Sequence, residues 1–500
     1  MKRLLLLTCW TAVLGIAAFL RLHALDERPM HADEATGARI TSLRLEDGSY
    51  AFDPLHYHGP TLSRFAMTSA RAAGQTRWSE LEKTPLRVVP ALAGILLAIA
   101  PALGRRRFGD GPMLLAALAL ATSPLLVYYS RMFIHEMLLA LFGILALAAF
   151  CSRRHAWLAG LWIGLMFATK ETFAISVIAW GAALAVLWLA SLRTPGRPRL
   201  AALAREHWRP AALGLALALL ASLFFYTNGF TRWQGAVDAV RTFFVYELVE
   251  GHDKGAGYYF ELLLRPRRIE GLMWTEVLLP VLALVAVVAS FAARGMPATT
   301  RFTIRFLALA AGFHVAAYLC FAYKTPWLMV VPWAHVALLA GFAACALPPC
   351  RKGVAIAVAA LVAAGIGWQW TQARNATSTF ASDDRNPYAY VPTAGDIETL
   401  GPWLRALDAS QPGLPLEPLA MVGDEYWPLP WYLRHYGKVG YWAEPPANLG
   451  RLPVVFATSD LSAELAATHV PVPRGLRTDT PMMVWVRQDF WGASTDADSP

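Results

Sequence analysis

The sequence predicts a mainly α, polytopic membrane protein: a bundle of about eleven transmembrane helices followed by a small C-terminal α/β domain. Three observations carry this reading. Of 500 residues, 56% are hydrophobic and only 16% charged. A soluble domain carries about 25% charged residues, so most of this chain has no water-facing surface to cover. Apolar runs of near bilayer-spanning length recur as far as residue 372, and beyond it the runs shorten while Pro and charge rise.

A spanning helix needs about 20 mostly apolar residues. The runs that qualify lie at roughly 4–21, 86–104, 111–129, 133–150, 156–169, 172–190, 210–227, 272–292, 303–321, 328–347 and 353–371. The stretch 156–190 would make a single helix about 52 Å long, at about 1.5 Å per residue, so it is divided at Lys170-Glu171. Met1-Lys2-Arg3 ahead of the first run resembles a signal peptide. No small-residue cleavage site follows, so the run is read as an uncleaved first span. The 19 Trp and 16 Tyr fit anchors at the membrane interface, and they fit a sugar-lined site equally well.

Every second loop is basic: Lys2-Arg3, Arg105-Arg106-Arg107, Arg153-Arg154, the Arg193 to Arg209 stretch, Arg294 with Arg301, and Arg351-Lys352. By the positive-inside rule that face, with the N-terminus, is cytoplasmic. A first loop at about 22–85, a second at about 228–271 and the tail 373–500 then fall outside, with residues 1–372 as the transmembrane domain. A bacterial inner (plasma) membrane is the expected location. These loops account for the net charge of +9, so no nucleic-acid partner is expected. Cys9, Cys151, Cys320, Cys345 and Cys350 lie in or beside apolar segments, with neither a disulfide framework nor a zinc spacing. In the tail, Pro415 to Gly423, Pro453 to Ala457 and Met482 to Arg487 read as strands. Tyr426 to Tyr436 reads as a helix, with Pro428 and Pro430 in its first turn.

The chemistry-bearing residues gather at the outer ends of these spans. Arg28-Pro29-Met30-His31-Ala32-Asp33-Glu34 sets two adjacent carboxylates just beyond the first span; such a pair is either solvated or functional. Asp53-Pro-Leu-His56-Tyr57-His58-Gly59-Pro60 follows, and His56 and His58 are open to metal ligation or to interface packing. Ser130-Arg131-Met-Phe-Ile-His135-Glu136 lies between two apolar helices. There Arg131 and Glu136 either pair with each other, or Glu136 shares a cavity with the Asp33 loop. Lys170-Glu171 and Tyr323-Lys324-Thr325-Pro326-Trp327 cap outer hairpins. Each lysine either holds a phosphate as a point charge or snorkels to the headgroups. Carboxylates and cations on one side of apolar walls suit group transfer from a lipid phosphate, with a carboxylate taking the acceptor's proton and cations stabilising the departing phosphate. A transporter would set polar groups at mid-membrane on broken helices instead.

Taken in order, these motifs resemble the membrane glycosyltransferases of the C-type fold, in particular the protein O-mannosyltransferase and aminoarabinose transferase superfamily. Asp33-Glu34 follows span one, Ser130-Arg131 with Glu136 follows span three, and Ala168-Thr-Lys170-Glu171 follows span five. His56-Tyr-His-Gly-Pro60, Tyr323-Lys-Thr-Pro-Trp327 and Tyr426-Trp-Pro-Leu-Pro-Trp-Tyr-Leu-Arg434 resemble the subfamily named for an archaeal N-glycosylation flippase-associated protein. The resemblance implies a hexosyl- or pentosyl-type transferase. Such an enzyme takes a sugar from a polyprenyl-phosphate donor at the extracytoplasmic face and passes it to a glycan, lipid or protein acceptor. It implies Asp33 as the catalytic carboxylate, Glu34 and Glu136 beside it, and Lys170, Lys324 and Arg131 at the donor phosphate, with His56 and His58 lining the substrate. Some relatives bind a divalent metal ion near the acidic site; no ligand set carries over, and the metal stays open. Two alternatives also stay open: a lipid-linked-sugar flippase or its accessory, and a structural role in envelope polysaccharide assembly. In the tail, Asp424-Glu425 serves a helix N-terminus, or the aromatic residues beside it hold a glycan.

Overall fold

The computed structural model describes residues 2–46, 50–152, 154–193, 200–245, 252–346 and 352–491. Arg153, Arg351, Cys350 and residues 194–199 of the expected basic stretch lie outside these. The membrane part runs α1 (Lys2–Leu22), α2 (Ala32–Glu46), α3 (Thr61–Ala72), α4 (Lys83–Ile99), α5 (Arg105–Phe108), α6 (Asp110–Thr122), α7 (Pro124–Ser130), α8 (Glu136–Phe150), α9 (Leu158–Phe167) and α10 (Phe173–Ala190). It continues through α11 (Leu200–Tyr226), α12 (Gln234–Val245), α13 (Tyr258–Leu263), a two-stranded ribbon β1 (Arg267–Ile269) and β2 (Leu272–Trp274), then α14 (Leu278–Ala292), α15 (Ala298–Cys320), α16 (Val330–Gly341) and α17 (Lys352–Thr377).

Each expected span contains a helix. Among the described residues 7 helices are long and apolar enough to cross a membrane, and the bent pair α6–α7 brings the number to 8. The runs expected at 133–150, 156–169 and 272–292 are the shorter apolar helices α8, α9 and α14. The helix Pro326–Ala346 is the pillar of the bundle, with 83% of its apolar window buried, whereas the first and last spans bury 17% and 11% and lie at the rim. The division of 156–190 at Lys170-Glu171 is where the chain turns between α9 and α10.

The α6–α7 pair bends by 59° at Ser123-Pro124. Pro124 has no N–H to give to the preceding turn, so the break leaves main-chain groups unpaired in an apolar interior, at a cost. Two charged side chains answer it. Arg21 donates to the carbonyls of Leu120 (2.9 Å) and Ala121 (3.0 Å) at the end of α6. Glu276 accepts from the Leu125 N–H and the Ser123 hydroxyl, both at 2.8 Å, at the start of α7. Gly94 of α4 makes the room: a Cβ there would stand 2.6 Å from Arg21 Nε and from Ser130 Cβ. Deeper in the bundle, α10, α15 and α16 are pinned by buried polar groups. His314 Nε2 meets Ser176 Oγ at 3.0 Å, and the Trp180 indole donates to His335 Nε2 at 3.0 Å.

After α17 come α18 (Leu400–Ser410), β3 (Leu419–Val422), α19 (Leu429–Tyr432), β4 (Val439–Trp442), β5 (Val454–Ala457), β6 (His469–Arg477) and β7 (Thr480–Arg487). The sheet order is β4-β3-β5-β7-β6, with β3 parallel to both β4 and β5, and β7 antiparallel to β5 and β6. The three expected strands are β3, β5 and β7. The helix expected over 426–436 is corrected to a single turn, α19, because Pro428 and Pro430 withhold two N–H groups within three residues. The sequence reading also missed β4 and β6. The latter contains Pro471 and Pro473, which an edge strand tolerates. This domain grips the loop ahead of Asp33. The Met30 N–H donates to the Tyr432 hydroxyl (2.9 Å), the Thr393 hydroxyl donates to Met30 O (2.8 Å), and Lys83 pairs with Glu398 at 2.7 Å.

Helices α9 and α11 meet backbone to backbone. A Cβ on Gly160 would fall 1.9 Å from Gly214 O, and one on Gly164 2.5 Å from Ala218 O. Small residues four apart allow this close approach in lipid, where no hydrophobic driving force between helices exists. Gly160→Val is therefore expected to force the two helices apart, at about 1–3 kcal/mol, and to lower the melting temperature in detergent. Gly181→Val, at a glycine with nothing within 4 Å, is expected to leave it unchanged.

Candidate active site

Asp33 and Glu34 open α2, and the two carboxylates have opposite environments. Glu34 is fully buried. Arg87 grips it with two bonds of 2.8 Å, Arg28 adds a third at 3.2 Å, and the N–H groups of Phe133 (2.8 Å) and His31 (3.1 Å) complete the set. Burial alone would raise the Glu34 carboxyl, but Arg87 and Arg28 overcome that and hold it well below the usual carboxylate range. Asp33, one residue earlier, is exposed. Its N–H donates to His31 Nδ1 (3.1 Å), so His31 gives its Nε2 proton to Tyr390 O (3.1 Å). The first turn of a helix favours negative charge, which suits a free carboxylate at this position.

Glu136, at the start of α8, pairs with Lys170 at 2.5 Å, and both side chains are buried. Arg131 does not pair with Glu136, which rejects that alternative. Its guanidinium turns to the carbonyls of His23 (2.7 Å), Ala24 (2.8 Å) and Leu20 (3.2 Å) at the end of α1. Lys324 is also buried, and its ammonium donates to the carbonyls of Phe321 and Lys254. The bond to Lys254 O, together with the Lys324 N–H to His252 O, ties the segment before α13 to the 323–327 motif.

The His56–Pro60 motif docks on the Lys170 hairpin. His58 Nδ1 meets Glu171 at 3.1 Å, and the His58 ring packs edge-on against His135 at 5.2 Å. The Thr61 N–H donates to Ala168 O, and a Cβ on Gly59 would lie 2.3 Å from the same oxygen, so only glycine allows this approach. Burial would raise the Glu171 carboxyl, but His58 and then Lys170 hold it down to about 2. His56 lies farther out, exposed and paired with Asp53 at 2.9 Å.

Tyr323 feels charges from both parts of the site. Its hydroxyl is pushed up to about 12, by burial first; Lys170 opposes the shift, while Asp33 and Glu136 add to it. Both carboxylates and the Lys170 ammonium thus act on one phenol. His252 and Tyr390, joined by a 2.7 Å hydrogen bond, also feel the Asp33 charge, and Trp327 packs on Tyr390 at 5.6 Å and on His31 at 6.0 Å. Among the described residues no group of three or more His, Cys, Asp or Glu side chains is placed to hold a metal ion.

Sequence reasoning missed Arg87, His252 and Tyr390. Arg87 had a readable signal: a cation one turn inside an apolar span needs a partner. His252 and Tyr390 had none, because they reach the site only through tertiary folding.

The family described as Dolichyl-phosphate-mannose-protein mannosyltransferase matches residues 73–204. No curated protein matches the chain. Among solved structures, apo ArnT from Cupriavidus metallidurans superposes with a TM-score of 0.65 at 17% identity, covering 98% of this chain and 99% of that one. The same protein bound to undecaprenyl phosphate gives 0.61 at 17% identity, covering 96% and 97%. The archaeal oligosaccharyltransferase AglB from Archaeoglobus fulgidus, in complex with an inhibitory peptide and a dolichol-phosphate, gives 0.52 at 15% identity, covering 93% and 70%. The fold is thus the C-type glycosyltransferase fold.

Removing the Glu34 charge strands two buried guanidinium groups. Glu34→Gln is expected to cost about 3–5 kcal/mol, read as a lower unfolding temperature by tryptophan fluorescence. The sign with pH follows from the lowered folded pKa. The stabilisation is complete above the unfolded glutamate pKa of about 4.3 and declines as pH falls below it. The gap in melting temperature between wild type and Glu34→Gln should therefore narrow below about pH 4.

Proposed function

We propose that the chain is a membrane glycosyltransferase that moves a sugar from a polyprenyl-phosphate donor to an envelope glycan, lipid or protein acceptor at the extracytoplasmic face of a bacterial inner membrane. The observation that carries this reading is the division of labour in the acid pair. Glu34 is immobilised by five donors, and Asp33 beside it is exposed, within electrostatic reach of the same tyrosine as the buried Lys170–Glu136 pair.

In this reading the acceptor hydroxyl gives its proton to the Asp33 carboxylate as its oxygen bonds the sugar's anomeric carbon. The bond from that carbon to the phosphate oxygen breaks, and the electron pair leaves with the polyprenyl monophosphate. Lys170 is the cation for that phosphate, held ready by Glu136. Arg131 and Lys324, which spend their protons on main-chain carbonyls, serve to position the α7–α8 link and the second outer loop. His58 and Glu171 brace the Lys170 hairpin, with His56 at the outer edge. The related fold bound to undecaprenyl phosphate supports a polyprenyl donor.

A flippase would call for a polar path across the bilayer. Among the described residues, the polar side chains at the middle of the bundle, His314, His335, Ser176 and Trp180, are buried and bonded to one another. That favours the transferase.

Asp33→Asn keeps the shape and removes the base. Sugar transfer by membranes holding normal amounts of protein is expected to fall about 10²- to 10⁴-fold, while mass spectrometry of lipid extracts shows donor lipid accumulating. Unchanged transfer would end the assignment.

A further inference from the structure

At the end of the bundle opposite Asp33 lies a cavity of about 740 Å³. That size falls within the range of about 300–1,000 Å³ typical of small-molecule pockets. Its place follows from the helices that wall it. Helix α4 starts at Lys83, which bonds Arg28 O beside the acid pair, and ends toward Arg105–Phe108. Helix α8 starts at Glu136 and ends at Phe150. The cavity belongs to the far ends of both, walled by Leu103, Ile144, Leu184, Phe306, Leu338 and Phe342. Trp180, on the same wall, is the indole that donates to His335.

The lining is mostly carbon; its polar side chains are Cys151, Ser152, Thr303 and, at the exposed end, Arg106 and Arg107. Arg105 is taken up by Asp110 at 3.3 Å, and Arg107 donates to Cys151 O and leans over the Phe108 ring. Arg106 is exposed and has no ion-pair partner among the described residues. A largely apolar cavity of this size is costly left empty, and its carbon walls offer water few partners. In a bilayer the apolar material at hand is the acyl chain. The guanidinium groups at the mouth select its headgroup, since arginine binds phosphate by charge and hydrogen bond together.

We propose that this cavity is a lipid site that seats an acyl chain of an anionic phospholipid, with the phosphate on Arg106 and Arg107. It is separate from the Asp33 site, and the lipid here is bound, not consumed. The site does not depend on the transferase reading, and its test contains no sugar donor.

The full chain, purified in detergent and stripped of lipid, is incubated with dioleoyl phosphatidylglycerol or dioleoyl phosphatidylcholine. Lipid retained per protein after washing is counted by native mass spectrometry. Phosphatidylglycerol is expected to be retained at least about fivefold better, and Arg106→Glu to remove that advantage while leaving phosphatidylcholine unaffected. Ala148→Trp, which fills the cavity from its α8 wall, is expected to reduce retention of both lipids. Equal retention of the two lipids by the wild type, or an Arg106→Glu variant that keeps the preference, overturns the proposal. Arg106 is exposed, so its replacement tests the site even where Ala148→Trp fails to fold.

Discussion

A carboxylate buried without a single exposed atom organises the end of the bundle where α2 begins. Taking Glu34 out of water costs several kcal/mol, and so does burying Arg87. The cost is offset only because every acceptor site on the carboxylate is filled, and filled from different parts of the chain: Arg87 from a spanning helix, Arg28 and His31 from the loop before α2, and Phe133 from the link between α7 and α8. Such a set holds in one geometry or not at all. It fixes the first turn of α2, and with it the direction of Asp33. It also fixes the link that leads, three residues after Phe133, into Glu136. Two acids 103 positions apart, as their numbers give, are thus held in a constant relation without touching.

The other motifs are joined by the same kind of contact, a side chain or glycine meeting main chain from a distant segment. Gly59 rests on Ala168, Lys324 holds Lys254 O, Arg131 holds the end of α1, and Tyr432 of α19 holds the Met30 N–H. Main-chain groups at the outer ends of broken or short helices are left without partners, and apolar surroundings make that expensive. Cations that look ready for a ligand are therefore drawn into capping. Arg21 does the same at the α6–α7 break, where the Glu276 carboxyl caps the other side, and Tyr128 and Tyr129 of α7 line a small recess with Arg28 and His31.

This explains what could be read in the sequence and what could not. The spans were legible because hydrophobicity is a local property of about 20 residues. The hairpin at Lys170-Glu171 was legible because a charged pair inside a long apolar run must reach a boundary. The C-terminal strands β3, β5 and β7 were legible as short apolar runs, while β6 was hidden by Pro471 and Pro473, tolerated only because it lies at the edge. The motifs that carry charge were legible as motifs. Their partners were not. Nothing local says that Arg131 takes carbonyls while Arg87 takes a carboxylate, since both are arginines near the ends of apolar helices. The choice is made by segments as far as 111 residues away.

The pairing of Lys170 with Glu136 bears on how such a site could favour reaction over mere binding. A lone ammonium at the lip of an apolar bundle would be poorly solvated and free to swing outward; a fixed carboxylate holds it in place and keeps the pair neutral. A lipid-linked sugar phosphate is a diester and carries one negative charge, which Glu136 repels as Lys170 attracts, so ground-state binding gains little from the pair. As the sugar departs, the phosphate becomes a monoester and its charge grows toward about −2. The attraction to Lys170 then rises with the developing charge, and the geometry needed to exploit it is already in place. An interaction that strengthens along the reaction lowers the barrier, whereas one equally strong at the start would only tighten binding. On the proposed reading, the acid beside the lysine is what keeps that interaction in reserve for the leaving phosphate.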